Sequence, residues 1–353
     1  MKKYQFFQLG LLTLSLGGLF SCSEDDSPIV VPPNETGTIE VNGGGETYPN
    51  SVFINLRATE QTAVSRESWD LAFYSGTEFK VLINGTTGAM ASATGQTDIN
   101  AVGETEIAAA EATGELILSF TNLDGILHVD DPSTPLSNPV IEAISSTEAE
   151  NEVYLLSRGA SGVEAKAWKK IRIIRNGQGY TLEYADADAT TFSSVEISKD
   201  SDYNFVYFNF EQGIVSVEPK KSEWDISWTA GTSSTPYPQA ANGTLAYFFQ
   251  DLVYHNTQNG VGAAEVLEAD IAYADFSSED VLSFSLNTSD RLTIGSHWRA
   301  GGGPSSSPAV LTDRYYIIQD TEDNIYKLRF LSLTKAGERG YPSFEYELVE
   351  AGQ

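Results

Sequence analysis

The chain has 353 residues, 41% of them apolar and 11% aromatic, enough for two packed domains and unlike a disordered tail or a coiled coil. Acids outnumber bases 49 to 21, and the formal charge of −28 repels nucleic-acid phosphates and anionic head groups, so no nucleic-acid partner is expected. Three histidines, two methionines and one cysteine exclude a Cys-rich zinc fold, an iron–sulfur cluster and a disulfide scaffold by count.

Lys2 and Lys3 precede an apolar run from Phe6 to Phe20, the charged and hydrophobic regions of a secretory signal over residues 1–21. The run has about 15 residues where a spanning helix needs ~20, and Gly10, Gly17 and Gly18 interrupt it. Cys22 closes it as Leu19-Phe20-Ser21-Cys22, which resembles a bacterial lipobox in which the cysteine is lipidated and becomes the mature N-terminus. An ordinary cleaved signal with an incidental cysteine is the alternative. Ser23-Glu24-Asp25-Asp26 resembles the acidic export signal that carries lipoproteins of Bacteroidota to the outer face of the outer membrane, and it reads equally as the start of a solvated linker. Cleavage leaves 19 bases against 49 acids, a charge of −30. Residues 22–48, with Pro28, Pro32, Pro33 and Gly43-Gly44-Gly45, read as the lipidated N-terminus and a flexible tether.

Two copies of one domain follow, expected at 49–190 and 195–353. The Trp-Asp pair occurs in Ser68-Trp69-Asp70-Leu71 and again in Glu223-Trp224-Asp225-Ile226, 155 residues apart. An alternating strand precedes each, Val52 to Leu56 and Phe205 to Phe210. Matching strands close each copy, with Tyr154 and Tyr184 answered by Tyr316 and Tyr346 at an offset of 162. Alternation, β-branched and aromatic residues, and turns such as Asn176-Gly177 predict an all-β fold. Helical signal is confined to Ile107–Leu116. In a strand, neighbours face opposite ways, so an inward Trp69 sends Asp70 to the rim, to cap a turn or pair with a base. Both Trp-Asp pairs therefore read as structural.

No His-Glu-x-x-His, Gly-x-Ser-x-Gly, P-loop or Gly-x-Gly-x-x-Gly motif is present, and no enzymatic activity is expected. Asp320-Thr321-Glu322-Asp323-Asn324 offers oxygens but reads as a hairpin turn rather than a calcium loop. His128 reads as a strand-end residue. His255 follows Tyr254, and His297 precedes Trp298 and Arg299, both at loop mouths in the second copy. They are the candidate axial pair for a haem iron, with two unrelated histidines as the plainer reading.

Ser68-Trp69-Asp70-Leu71-Ala72-Phe73-Tyr74-Ser75-Gly76, Phe79 to Asn84, Tyr207-Phe208-Asn209-Phe210, Glu223 to Ile226, Tyr315 to Ile318 and Asn324 to Leu328 together resemble the HmuY family of haem-binding lipoproteins, in two tandem copies. The resemblance implies an all-β fold, lipid anchoring, cell-surface display on the outer membrane, and haem capture for a TonB-dependent receptor. It also implies iron held by paired histidines or methionines. The mature chain has one methionine, Met90, and its histidines match no family signature. Two readings follow. In the first, a haem-capturing surface lipoprotein uses His255 and His297, with Arg299 as counter-charge to the porphyrin propionates. In the second, a surface binding or assembly module holds a peptide or glycan on Tyr237, Tyr254 and Trp298.

Overall fold

The computed structural model describes residues 32–301 and 307–352. The signal sequence, Cys22 and the acidic tetrapeptide lie outside the described residues. Among these residues no helix is long and apolar enough to cross a membrane.

The first copy supplies β1 (Thr36–Glu40), β2 (Asn50–Asn55), β3 (Glu60–Ser65), β4 (Leu71–Tyr74), β5 (Val81–Ile83), β6 (Met90–Ala93), β7 (Val153–Ser157), β8 (Lys169–Asn176) and β9 (Gly179–Asp186). The second begins with β10 (Ser193–Ile197), β11 (Phe205–Asn209), β12 (Gly213–Val215), β13 (Ile226–Pro236), β14 (Thr244–His255) and β15 (Gly262–Leu267). A short pair, β16 (Arg299–Ala300) and β17 (Ala309–Val310), precedes β18 (Arg314–Gln319), β19 (Ile325–Ser332) and β20 (Ser343–Glu350). The fold is all-β, with helix α1 (Glu104–Thr113) near the stretch expected at Ile107–Leu116. Gly114 ends it in the left-handed region, at φ 68°.

The sheets do not divide the chain where the repeats do. The order β5-β4-β11-β12 joins two strands of each copy, and so does β3-β2-β13-β14. Phe205 to Phe208 pair with Tyr74 to Leu71, while Ile226, Ser227 and Trp228 pair with Ile54, Phe53 and Val52. The outer sheets run β10-β9-β8-β7-β6 and β1-β20-β19-β18-β15. By position in the repeat β10 answers β1, β11 answers β2 and β12 answers β3. The first three strands of each copy are thus exchanged. One body is continuous, β4 to β12, and the other is assembled from β1–β3 and β13–β20. The cores follow the bodies: Leu71, Phe73, Ile171, Leu182 and Phe208 share one, and Val52, Ile54, Trp228, Ile318 and Phe344 share the other.

The exchange accounts for the order in residues 33–48, which the proline and glycine content had suggested as tether. Ile39 pairs with Phe344 and is buried, Val41 follows it inward, and Tyr48 is buried as well. Gly43 passes so close to Trp228 and the Gly340 carbonyl that a Cβ there would collide with both. Burial of those alternate apolar side chains outweighs the flexibility implied by composition.

The Trp-Asp pairs lock the exchanged strands. Asp70 N donates to Phe208 O at 2.8 Å, and Phe210 N donates to its carboxylate at 3.0 Å. In the other copy Asp225 N donates to Ile54 O at 2.8 Å, and Leu56 N donates to its carboxylate at 2.8 Å. Both aspartates are buried, which corrects the expectation that Asp70 faces the rim. A strand-end amide in the interior needs an acceptor, and a carboxylate supplies it. Asp70 does pair with a base, Arg158, through two bonds of 2.7 and 2.9 Å.

Candidate functional site

Between the two exchanged four-stranded sheets lies a cavity of about 130 Å³. Its aromatic walls repeat the symmetry of the copies. Trp69 packs edge-on against Tyr207 at 5.1 Å between ring centroids, and Trp224 against Phe53 at 5.2 Å. Each tryptophan of a Trp-Asp pair therefore touches an aromatic ring of the strand its own aspartate locks. Tyr254 and Arg291 complete the wall, and a contiguous cavity of about 70 Å³ shares Trp69, Tyr254 and Arg291.

Several polar groups at this seam are without partners among the described residues. Trp224 Nε1 is buried without a hydrogen-bond partner. Among the described residues the Tyr207 and Tyr254 hydroxyls have none either. Burial pushes both phenols above their ordinary range. Glu218 is also buried; it accepts from Phe205 N at 2.8 Å and Asn204 Nδ2 at 3.4 Å. Burial raises its carboxyl to about 8 against those hydrogen bonds, so it is largely protonated at neutral pH. Asp130, on the adjoining cavity, is raised to about 7 for the same reason, while Val140 N and Ile83 N oppose the shift.

Of the residues singled out in the sequence, Tyr254 stands on this cavity. His255 borders it, but alternation along β14 turns its ring the other way. Tyr254 lies opposite Ser227, a cavity residue, whereas His255 lies opposite Ile226 in the core of the assembled body. The imidazole is 2% exposed and its Nε2 donates to the Asn287 carbonyl at 2.9 Å. Burial lowers its pKa, with Asn287, Asp290 and the Arg291 backbone opposing. His297 is exposed. His297 lies in the turn that follows the isolated bridge between Val253 and Gly295, with its N–H donating to Ile294 O at 2.9 Å, while the His255 ring is held on Asn287 in the core. Two imidazoles on one iron stand ~2 Å from it on opposite sides, and these two do not converge.

The neighbours of His297 are engaged as well. Trp298 is buried, stacked on Phe330 at 4.4 Å, with Nε1 donating to Asp251 O at 3.1 Å, and so offers no free face. Arg299 is paired with Asp251, whose other oxygen takes Arg339 at 3.0 Å, so it is not a free counter-charge. Tyr237 is 38% exposed near the β13–β14 turn and lines no part of the seam cavity. His128 falls in a 3₁₀ turn, Gly125–His128, rather than at a strand end, and its Nδ1 lies 3.3 Å from Ala91 O. Met90 is fully buried. Asp320–Asn324 forms the β18–β19 turn, with Asp320 Oδ1 accepting from Glu322 N and Asn324 N, and no acid or histidine cluster suited to a metal occurs among the described residues.

Sequence reasoning missed Tyr207, Trp224 and Arg291 as site residues. The repeat singles out Trp224, but its neighbour across the seam is set by which copy's strand fills the slot. Arg291 sits in a polar run, Asn287 to Arg291, with no pattern to distinguish it.

The model of the HmuY family, described as HmuY protein, matches residues 47–195 and again 201–346. The chain belongs to the HmuY family. It does so twice over, and the strands β2 and β3 of the first matched segment and β11 and β12 of the second are the ones that cross to the other's sheet. Solved structures similar to it include the apo HmuY analog of Tannerella forsythia, 10% identical, covering 90% of this chain and 98% of that one at a TM-score of 0.31. Another, described as an HmuY-like heme binding protein from Bacteroides vulgatus ATCC 8482, is 9% identical and covers 92% and 100%, at a TM-score of 0.24. A third, described as a lipoprotein of Bacteroides fragilis NCTC 9343, is 10% identical and covers 90% and 91%, at a TM-score of 0.19. None of the curated proteins matches the chain.

Proposed function

We propose that this HmuY-family chain is a binding protein, not an enzyme, held by a lipid on Cys22 at the outer face of the outer membrane, and that its ligand enters the seam between the exchanged sheets. The observation that carries the reading is the cavity itself, walled by aromatic rings from both copies and holding donors without acceptors. An apolar pocket with a few convergent polar groups is the usual form of a small-molecule site. A body tethered by lipid and built without catalytic motifs fits capture and delivery, with an outer-membrane receptor of the TonB-dependent kind as the natural recipient.

Haem is the ligand named for the Bacteroides vulgatus neighbour. The residues here do not fit a bis-histidine haem site, because one imidazole is locked in the core and the other is exposed on a different stretch of chain. The cavity, at about 130 Å³, is also below the ~300 Å³ at which pockets for larger ligands begin. Haemin titration followed by absorbance tests this reading. The expected spectrum lacks a low-spin band that depends on His255 and His297. A low-spin Soret band that disappears when both histidines are replaced by alanine restores the haemophore reading.

A further inference from the structure

Among the described residues that line the seam cavity, Arg291 is the only cation. Its Nε donates to the Pro132 carbonyl at 2.7 Å, and its guanidinium lies over the Tyr254 ring, 4.2 Å from the centroid. These two contacts hold the fork at the wall. Its terminal nitrogens make no hydrogen bond or ion pair among the described residues, although acids outnumber bases 49 to 21 in the chain. An arginine with its terminal donors free, stacked on an aromatic ring at an apolar cavity, is suited to a planar anion that can take two bonds at once.

One acid on the adjoining cavity, Asp130, is near enough to feel the charge of Arg291, and its carboxyl, raised by burial to about 7, is only partly ionised at neutral pH. The hydroxyls of Tyr207 and Tyr254 and the indole N–H of Trp224 can all donate and are without partners. Glu218, whose carboxyl is largely protonated at neutral pH, adds little negative charge. A cation would also find aromatic faces and phenol oxygens here, but it would stand beside Arg291 and leave the Trp224 N–H unmatched. Size limits the rest of the molecule. A dry cavity of about 150 Å³ accepts a single benzene ring, and the seam cavity is of that order, extended by the adjoining space.

Resting on the reading of the seam as the ligand site, we propose that it binds a small carboxylate with an apolar body of about one ring, the carboxylate meeting the terminal nitrogens of Arg291 and the ring lying among Trp69, Tyr207 and Trp224. Entry is past Phe205, Thr257 and Gln258, which border the cavity and are only partly buried. The overall negative charge slows the approach of such an anion, so binding should be fastest at moderate salt, where long-range repulsion is screened while the partly buried contact is not.

Calorimetric titration of the whole chain with phenylacetate, phenylacetamide and benzylammonium tests the proposal. Phenylacetate should bind about tenfold more tightly than phenylacetamide, a difference of about 1.4 kcal/mol, and benzylammonium should not bind. Arg291→Gln should erase that preference while phenylacetamide still binds. Arg291→Lys, which keeps the charge and loses the fork, should keep part of it, and circular dichroism confirms that each variant is folded. Quenching of tryptophan fluorescence by phenylacetate should weaken in Trp224→Phe. Equal affinity for the amide, or tighter binding of the ammonium, overturns the carboxylate and leaves the cavity as a ligand site. Binding by none of the three overturns both.

Discussion

Asp225 accepts the backbone N–H of Leu56 at 2.8 Å, and the two residues belong to different copies of the repeat. Asp70 and Phe210 make the same contact in the opposite sense at 3.0 Å. The paired locks explain why a Trp-Asp dipeptide recurs 155 residues on. The tryptophan covers the seam, and the aspartate ties off the strand that crosses it.

Exchange of strands changes what the halves can do alone. A fragment ending at 190 lacks β10 to β12, and one starting at 191 lacks β1 to β3, so each leaves a sheet edge and half a core open to water. Neither fragment 33–190 nor fragment 191–353 should melt cooperatively by itself, and mixing the two should restore a cooperative transition. A fragment spanning 66–218, which holds β4 to β12, should fold without help. Circular dichroism melts on the four samples distinguish these outcomes.

The two locks should respond differently to loss of charge. Asp70 is ion-paired in the interior with Arg158, which also takes two bonds to Glu211, and Asp70→Asn should cost about 2 kcal/mol by replacing charge-assisted hydrogen bonds while Glu211 still compensates the cation. Burial raises the Asp225 carboxyl to about 7, with Asp320 and Glu322 adding to the shift and Leu56 N and Arg57 opposing it. Asn in place of a carboxyl that is often protonated keeps the amide acceptor, so Asp225→Asn should be close to neutral at pH 6. Denaturant titrations of both variants measure the contrast.

Three buried carboxyls, Asp130 at about 7, Asp225 at about 7 and Glu218 at about 8, hold protons in the folded state that an unfolded chain releases near 3.8 to 4.5. Between those limits the folded state binds more protons, so stability falls as pH rises. The contribution is fully present below about pH 4 and is lost as pH passes through 7 to 8. The melting temperature should therefore be higher at pH 5.5 than at pH 8.5, by a few degrees, and Glu218→Gln should flatten the slope. A melting temperature that rises over this interval would contradict the assignment.

Much of the fold was legible because alternation is a local property. Phe205 to Phe210 and Val52 to Leu56 announce strands wherever they pair, and Tyr154 and Tyr316 mark the same strand in each copy. Pairing between copies was not legible. Phe53 and Tyr207 occupy equivalent positions, so the seam slot beside Trp224 could be filled by either as far as pattern goes. The candidate site suffered from the same limit. Tyr254 and His255 are neighbours in sequence, yet the pleat sends one ring to the cavity and the other to the core, and the face that each would take depends on the partner strand.

Trp224 should matter to both bodies at once. Its ring lies between Phe53 of one copy and the seam residues Ala72, Leu82 and Tyr207, and Trp224→Ala should cost on the order of 3–5 kcal/mol in a single transition of the whole chain. A calorimetric scan that splits into two peaks, only one of them shifted, would mean that the seam does not couple the bodies.

The reciprocal exchange, which builds the seam and therefore the proposed site, can be tested by cross-linking. Thr36 on β1 lies opposite Glu347 on β20, and opposed residues of an antiparallel pair have Cα atoms ~4.5–5.5 Å apart, within disulfide range. With Cys22 replaced by serine, Thr36→Cys/Glu347→Cys should close under mild oxidation and shift on a non-reducing gel. Thr36→Cys/Ala185→Cys, which would join β1 to the position on the closing strand of its own copy that answers Glu347, should stay reduced. Closure of the second pair in place of the first would contradict the exchange.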